Sequence, residues 1–169
     1  MVINFLRENK IASYLLLAAR LYLGLEWLKS GWEKIHSQFE STGFLAEAIK
    51  SAGGDHPAVQ DWWATFLKSF ALPHADLFNF IIPWGEFFVG LGLIFGGLTA
   101  VAALMGIIMN FAYLLSGTTS TNPQMILITI FILVAGANAG RIGIDYALQK
   151  MRQRHHFKMF HHKKPAFKG

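Results

Sequence analysis

Two ionisable side chains stand inside long apolar stretches of this sequence. Arg20 lies within residues 11–30, and Glu86 borders residues 87–140, which contain no Asp, Glu, Lys, Arg or His. A charged group in the hydrocarbon core of a bilayer is costly, so it pairs with another group or serves a function. Counted from the ends of their predicted helices, Arg20 and Glu86 lie at nearly the same depth. We therefore predict that they form a buried pair.

Two interpretations of this pair follow from the residues. The first is a buried salt bridge that only fixes one helix against another, which is weak evidence for stability in itself. The second is a polar pocket that binds a quinone-like headgroup or relays a proton. In the second interpretation the two tryptophans Trp27 and Trp84 flank a flat ring by stacking, although both could equally serve packing or interfacial anchoring. The ligand-binding residues predicted for this pocket are Arg20, Tyr22, Glu26, Trp84, Glu86 and Asn110.

A second polar group stands near the end of the last apolar stretch. Arg141 and Asp145 are spaced i,i+4, so on a helix they would form a local ion pair. Asn138 lies one turn earlier and extends the same face. We predict a polar network of Asn138, Arg141 and Asp145, with the local ion pair as its simplest form.

No metal or haem site is predicted. The chain has no cysteine, which excludes thiolate metal sites and thiol catalysis by the chain itself, and no apolar stretch contains a histidine that could ligate haem. The tail carries His155, His156, His161 and His162 among many Lys and Arg residues. Such a tail favours anionic lipid headgroups over a metal ion.

The composition and the apolar runs indicate an all-α integral membrane protein. Hydrophobic residues make up 53% of the chain and charged residues only 15%, which is less charge than soluble proteins carry. Runs of about 20 apolar residues are long enough to cross a bilayer. We predict a four-helix transmembrane bundle in residues 1–147, with spans at about 11–30, 77–95, 98–115 and 125–146.

The polar connection 33–76 and the tail 148–169 indicate the orientation. The connection carries more acids than Lys, and it contains helical segments, one of which (Asp61–Phe70) is rich in aromatic residues. This aromatic helix fits either the membrane interface or a lid over the bundle. The tail is basic and has no acid after Asp145, so the basic pI describes this tail and not a nucleic-acid-binding face. The positive-inside rule places both termini in the cytoplasm and the connection outside the cell membrane.

Several motifs together resemble the DoxX/DoxD family of small bacterial and archaeal four-helix membrane proteins. They span about residues 11–147 and comprise Arg20…Gly24…Trp27…Gly31-Trp32-Glu33-Lys34, Ile82-Pro83-Trp84-Gly85-Glu86, Thr118-Ser120-Thr121-Asn122-Pro123 and Ala137-Asn138-Ala139-Gly140-Arg141. The resemblance implies a four-helix bundle. It also implies similarity to the membrane subunit of thiosulfate:quinone oxidoreductase, in which electrons from thiosulfate pass to a membrane quinone.

Two functions remain open at this point. The first is a quinone-linked oxidoreductase subunit, which needs a redox partner protein because the chain encodes no electron carrier of its own. The second is a non-enzymatic membrane scaffold, or a transporter of small solutes or lipids, that acts with an oxidoreductase partner. Both leave room for a homo-oligomer. The chain has no cysteine to carry sulfur, so the residues favour the quinone-linked part of the resemblance over thiosulfate as a substrate.

Overall fold

The computed structural model describes the backbone of residues 1–161 and the side chains of residues 1–152, and this part of the chain contains no strand. A π-helical turn (Leu67–Ala71) and a 3₁₀ turn (Leu72–His74) follow Phe66, and a second 3₁₀ turn (Gly136–Gly140) follows Ala135. The α-helices are α1 (Val2–Glu8), α2 (Lys10–His36), α3 (Ser41–Lys50), α4 (Asp61–Phe66), α5 (Ala75–Phe95), α6 (Thr99–Leu115), α7 (Asn122–Ala135) and α8 (Ile144–His161).

Within the described residues, three helical stretches are long and apolar enough to cross a membrane. They are Lys10–His36, Asp61–Phe95 and Asn122–Gly140. The prediction of a helical membrane protein is confirmed. The helix α6 is equally apolar but has only 17 residues, so the exact four-span bundle stays a prediction. We call the end that carries residues 37–74 the loop end, and the end that carries residues 1–9 and 136–143 the terminal end.

Glycines set the contact between α2 and α5. A Cβ atom added to Gly31 would lie 2.5 Å from the backbone nitrogen of Phe87, and one added to Gly90 would lie 2.6 Å from that of Leu28. Small residues let helix backbones approach closely in membranes. The two helices therefore pack backbone against backbone, and this contact fixes their register.

The core of the bundle lies among α2, α5, α6 and α7. One face of α2, its inner face, is buried in the bundle. That face consists of Leu16, Arg20, Leu23, Gly24, Trp27 and Gly31. Val89 and Leu93 of α5, Ala103 of α6 and Ile132 of α7 complete the apolar core.

The connection between α2 and α5 forms a small helical layer at the loop end. Leu45 and Ala48 of α3 pack against Leu67 and Ala71, which confirms the predicted helices in this region. Trp63 of α4 donates a hydrogen bond from Nε1 to Ser116 Oγ at 2.9 Å, as a lid would. Other aromatic side chains of this segment are exposed, as an interfacial helix requires, namely Trp62, Phe66 and Phe70.

The last predicted span is shorter than expected. The helix α7 ends at Ala135 and not at residue 146, because Gly136 adopts a positive φ of 57° and the chain continues as a 3₁₀ turn. A further helix, α8, begins at Ile144 within the region predicted to be the end of the span. It extends into the predicted tail 148–169, whose histidine side chains lie outside the described residues.

Candidate functional site

Glu86 is the centre of a buried polar network near the loop end. Its carboxylate is fully buried and accepts two hydrogen bonds. Lys34 Nζ donates to Oε2 at 2.7 Å, and the hydroxyl of Tyr113 donates to Oε1 at 2.5 Å. Lys34 also donates to Ser30 Oγ at 2.6 Å. The carboxylate is thus neutralised by a cation and held by a phenol, each from a different helix.

The local sequence explains how these three groups meet. Gly31 brings α2 against α5 beside Pro83 and Phe87, so Lys34, one turn later on α2, lies beside Glu86. Tyr113 approaches from α6, where its ring lies 5.9 Å from Lys34 Nζ and packs edge-on against Phe44 of α3. The side chain of Lys34 is 23% exposed, whereas that of Glu86 is 1% exposed. The network therefore connects a buried carboxylate to the surface through one lysine.

An apolar groove runs along the same side of the bundle. It has a volume of about 770 Å³, lies between α5 and α6, and is covered at the loop end by α3 and α4. Phe44, Trp63 and Ser116 line it at the loop end, and Leu98 and Ile144 line it at the terminal end. Tyr113 is part of its wall. The ring of Tyr113 therefore faces the groove while its hydroxyl holds Glu86.

The predicted pair of Arg20 and Glu86 is wrong. Arg20 lies beside Gly96, where a Cβ atom would overlap its guanidinium group. Gly96 is ten residues beyond Glu86, which corresponds to about 15 Å along a helix. The prediction failed because α2 extends to His36 and not to residue 30, and because the glycine contacts, which the sequence count ignored, set the register of α2 on α5.

Arg20 instead belongs to a second polar centre at the terminal end. Its two terminal nitrogens donate to the carbonyl oxygens of Ala139 at 2.8 Å and Ile142 at 2.7 Å. Asp145 accepts hydrogen bonds from the backbone N–H groups of Leu98 and Thr99 at the start of α6. The centre ties α2, the α5–α6 turn and the segment after α7 together.

The predicted network of Asn138, Arg141 and Asp145 is divided in the structure. Asn138 Nδ2 donates to the carbonyl oxygens of Leu6 and Asn9, and Arg141 reaches the carbonyl oxygen of Glu8 at 3.4 Å. The predicted Arg141–Asp145 ion pair is absent from the ion pairs of the described residues, because Asp145 turns towards α6. Asn138 and Arg141 instead hold the N-terminal segment against the bundle.

The other predicted ligand-binding residues do not meet at one site. Tyr22 and Glu26 are exposed on α2, and Trp84 is partly exposed beside Phe80 and Phe88. Asn110 is fully buried, but it does not line the groove, and neither of its amide atoms has a hydrogen-bond partner among the described residues. Of the predicted set, only Glu86 belongs to the network beside the groove. Ligand binding by the others stays a prediction.

Sequence reasoning missed Lys34 and Tyr113 as site residues. Both have a signal in their spacing. Lys34 continues the inner face of α2, since it follows Trp27 by seven residues and Gly31 by three, and Tyr113 follows Asn110 by three on α6. Counting residues on the inner face of each helix, and carrying the count on α2 past residue 30, would have placed both inside the bundle.

A family model described as DoxX matches residues 15–118, which is more than half of the chain. This chain belongs to the DoxX family. No curated protein and no solved structure matches it. The matched segment of this DoxX protein contains Lys34, Glu86, Tyr113 and Arg20, whereas Asp145 lies beyond it.

The electrostatics of Asp145 show how the terminal end of this DoxX protein is held. Partial burial opposes ionisation of its carboxyl group. The hydrogen bonds from Thr99 and Leu98 and the nearby charge of Arg20 outweigh burial, so the pKa of Asp145 lies below its ordinary value. Because folding lowers this pKa, the stabilisation is present above the unfolded-state pKa and is lost as the pH falls through the folded-state pKa.

Replacing Asp145 by alanine should lower the free energy of unfolding by about 1–2 kcal/mol, since α6 loses the carboxylate that caps its first N–H groups. The measurement is equilibrium unfolding in mild detergent at neutral pH. Asp76→Ala is the matched control, because Asp76 lies in the first turn of α5 but is exposed and caps nothing. Equal losses for both variants would contradict the capping role.

Proposed function

We propose that this DoxX protein is a redox-associated membrane protein that binds a quinone in the groove between α5 and α6. The observation that carries the proposal is the meeting of a groove of about 770 Å³ with a buried Glu86–Lys34–Tyr113 network. Ligand sites are mostly apolar clefts of about 300–1,000 Å³ with a few placed polar groups. The groove has this character.

The residues fit the two parts of such a ligand. The wall of the groove is almost entirely aliphatic and aromatic from Phe44 to Ile144, which suits an isoprenoid tail. Polar atoms gather at the loop end, where the hydroxyl of Tyr113 and the Ser116–Trp63 hydrogen bond lie. A quinone carbonyl accepts hydrogen bonds, and the phenol of Tyr113 can donate one. The polar ring would therefore lie at the loop end.

Electron transfer would need a partner. The chain has no cysteine, and no group of three or more His, Asp or Glu side chains within the described residues could hold a metal ion. The bound quinone would supply the two-electron chemistry, and a redox partner protein would exchange electrons with it. The chain's own residues bind the ligand, exclude water from it and hold a hydrogen bond to it. The protein lies in the membrane, and we propose that it is multi-pass with both termini in the cytoplasm.

Replacing Gly85 by leucine should reduce quinone binding at least about tenfold, or about 1.4 kcal/mol. A Cβ atom at Gly85 meets only Met109 Sδ, at an ordinary 3.5 Å, so a larger side chain enters the groove without disturbing the helix contact. The measurement is retention of ubiquinone and menaquinone analogues by the purified protein in lipid nanodiscs. Ala18→Leu is the matched control, because Ala18 is exposed on α2 away from the groove.

Absence of quinone from wild-type protein would refute the proposal. The second candidate function is a non-enzymatic membrane scaffold, or a protein that transports lipids or small solutes with an oxidoreductase partner. The almost wholly apolar wall of the groove favours a lipid chain in that case. Mass spectrometry of the extracted lipids separates the two candidates. A phospholipid that Gly85→Leu displaces, with no quinone retained, would establish the second.

A further inference from the structure

We infer that Tyr113, Glu86 and Lys34 form a proton path between the groove and the aqueous side at the loop end. The inference rests on the proposed quinone site and adds a role for these three residues. The path has two links: Tyr113 Oη to Glu86 Oε1 at 2.5 Å, and Glu86 Oε2 to Lys34 Nζ at 2.7 Å. Each is a hydrogen bond between groups that can gain or lose a proton.

The two ends of the path lie in different surroundings. Tyr113 forms part of the wall of the groove, so we place the acceptor oxygen of the ligand beside it. Lys34 lies near the end of α2 with 23% of its side chain exposed, so we place the aqueous end of the path there. Glu86, fully buried between them, is the carboxylate that joins the two. The three residues thus connect an apolar ligand site to solvent.

Among the residues whose side chains are described, no such connection leads towards the terminal end. Between Glu86 and the terminal end, apolar side chains fill the core. Leu23 and Leu93 are fully buried there, and Val89 is nearly so. The buried polar groups of Trp27 and Asn110 lie in the same region but do not titrate. Arg20, the next buried ionisable group on α2, is about 15 Å away along the helix. Protons would therefore enter and leave at the loop end.

The proton transfers are balanced along the path. When a ligand oxygen in the groove becomes basic, the Oη–H bond of Tyr113 breaks as that oxygen gains a proton. Glu86 takes a proton from the ammonium group of Lys34 and passes it to the phenolate of Tyr113. Lys34 then regains a proton from water. In the assay below, the electrons that make the ligand oxygen basic come from dithionite. The chain itself is neither oxidised nor reduced.

The test uses the full chain in lipid nanodiscs loaded with decylubiquinone. The first readout is the infrared difference spectrum between loaded and empty protein. We expect a change in the carboxylate bands in the wild type, because the ligand oxygen competes with Glu86 for the hydroxyl proton of Tyr113. The change should be absent in Glu86→Gln and Tyr113→Phe. It should persist in Glu33→Gln, because Glu33 is an exposed carboxylate on α2 paired at 4.0 Å with Lys29.

The second readout is the rate at which dithionite reduces the retained decylubiquinone. Proton transfer by a positioned side chain contributes about 10²–10⁴-fold to rates, so we expect at least a roughly tenfold loss in Tyr113→Phe, Glu86→Gln and Lys34→Met. Lys29→Met, the control in the exposed pair, should react like the wild type. Retention of the quinone is measured separately for every variant.

The outcomes separate the path from the site. Wild-type protein that retains decylubiquinone, with bands and rates unchanged in the three variants, would overturn the path and leave the quinone site standing. Wild-type protein that retains none would overturn both. Should Glu86→Gln fail to fold, Tyr113→Phe decides the result, because it removes a single oxygen atom and keeps the ring that packs on Phe44.

Discussion

Replacing Gly90 by alanine should lower the free energy of unfolding by about 3 kcal/mol, the upper end of the usual cost of overpacking, because the new methyl group enters the close backbone contact between α2 and α5. Its Cβ atom would lie 2.6 Å from the nitrogen and 2.7 Å from the Cα of Leu28, and 2.8 Å from the carbonyl oxygen of Gly24. All three are backbone atoms, so no side chain can turn aside. The helices α2 and α5 must separate, and the Lys34–Glu86 pair would lengthen with them.

The measurement is equilibrium unfolding in mild detergent, with Gly43→Ala as the control. Gly43 lies on α3 in an exposed position, and a Cβ atom there meets nothing within 4 Å. Alanine favours the helix over glycine by roughly 0.5–1 kcal/mol, so this variant should be slightly more stable than the wild type. A Gly90→Ala variant as stable as Gly43→Ala would show that α2 and α5 do not depend on close backbone contact.

The glycine contact also explains which parts of the fold the sequence could predict. Apolar runs identified the helical membrane protein, because such a run is a property of a single segment. The register between α2 and α5 depends on two segments at once. It is set where Gly24 meets Gly90 and where Gly31 meets Phe87, and no pattern within a single segment predicts which backbone a glycine will face.

The same limit applies to the candidate site. Glu86 stood out because a carboxylate beside a long uncharged run is unusual, and the structure places it in the network beside the groove. Its partners did not stand out. Lys34 follows the predicted end of the first span, and Tyr113 is one aromatic residue among many. Only the packed structure shows that both side chains reach the same carboxylate.

The fourth span shows the effect of a backbone feature. Its apolar run continues beyond Ala135, so hydropathy alone extends the helix to residue 146. A positive φ at Gly136 ends it, and Asn138 then satisfies the carbonyl oxygens of Leu6 and Asn9. Glycine adopts such a conformation readily, but many glycines in this chain lie inside helices. The sequence does not distinguish the two uses.

Two charged side chains are buried among the described residues, and they lie near opposite ends of the bundle. Glu86 is neutralised by a partner cation and lies beside the groove between α5 and α6, whereas Arg20 binds backbone carbonyl groups and is not among the residues that line this groove. Function at Arg20 is therefore not needed to explain its burial. A guanidinium group that satisfies two carbonyl oxygens of a non-helical segment stabilises that segment inside the membrane, where unpaired backbone groups are costly.

Replacing Arg20 by leucine should therefore lower the free energy of unfolding by about 3–5 kcal/mol, the usual cost of breaking a buried charged interaction. The carbonyl oxygens of Ala139 and Ile142 lose their donors, and Asp145 loses a nearby positive charge. Arg20→Lys should recover only part of the loss, because one ammonium group does not reproduce the planar fork of arginine. The measurement is again equilibrium unfolding in mild detergent.

The control for Arg20 is Arg141, which is also near the terminal end but makes only long contacts. Arg141 lies 3.4 Å from the carbonyl oxygen of Glu8 and 3.5 Å from Asn138 Oδ1 and is partly exposed, so Arg141→Leu should cost no more than about 1 kcal/mol. Quinone retention discriminates further. If Arg20 only holds the terminal end, Arg20→Lys retains quinone like the wild type even though it is less stable. A variant that folds like the wild type but releases the quinone would instead return Arg20 to the ligand site, where the sequence first placed it.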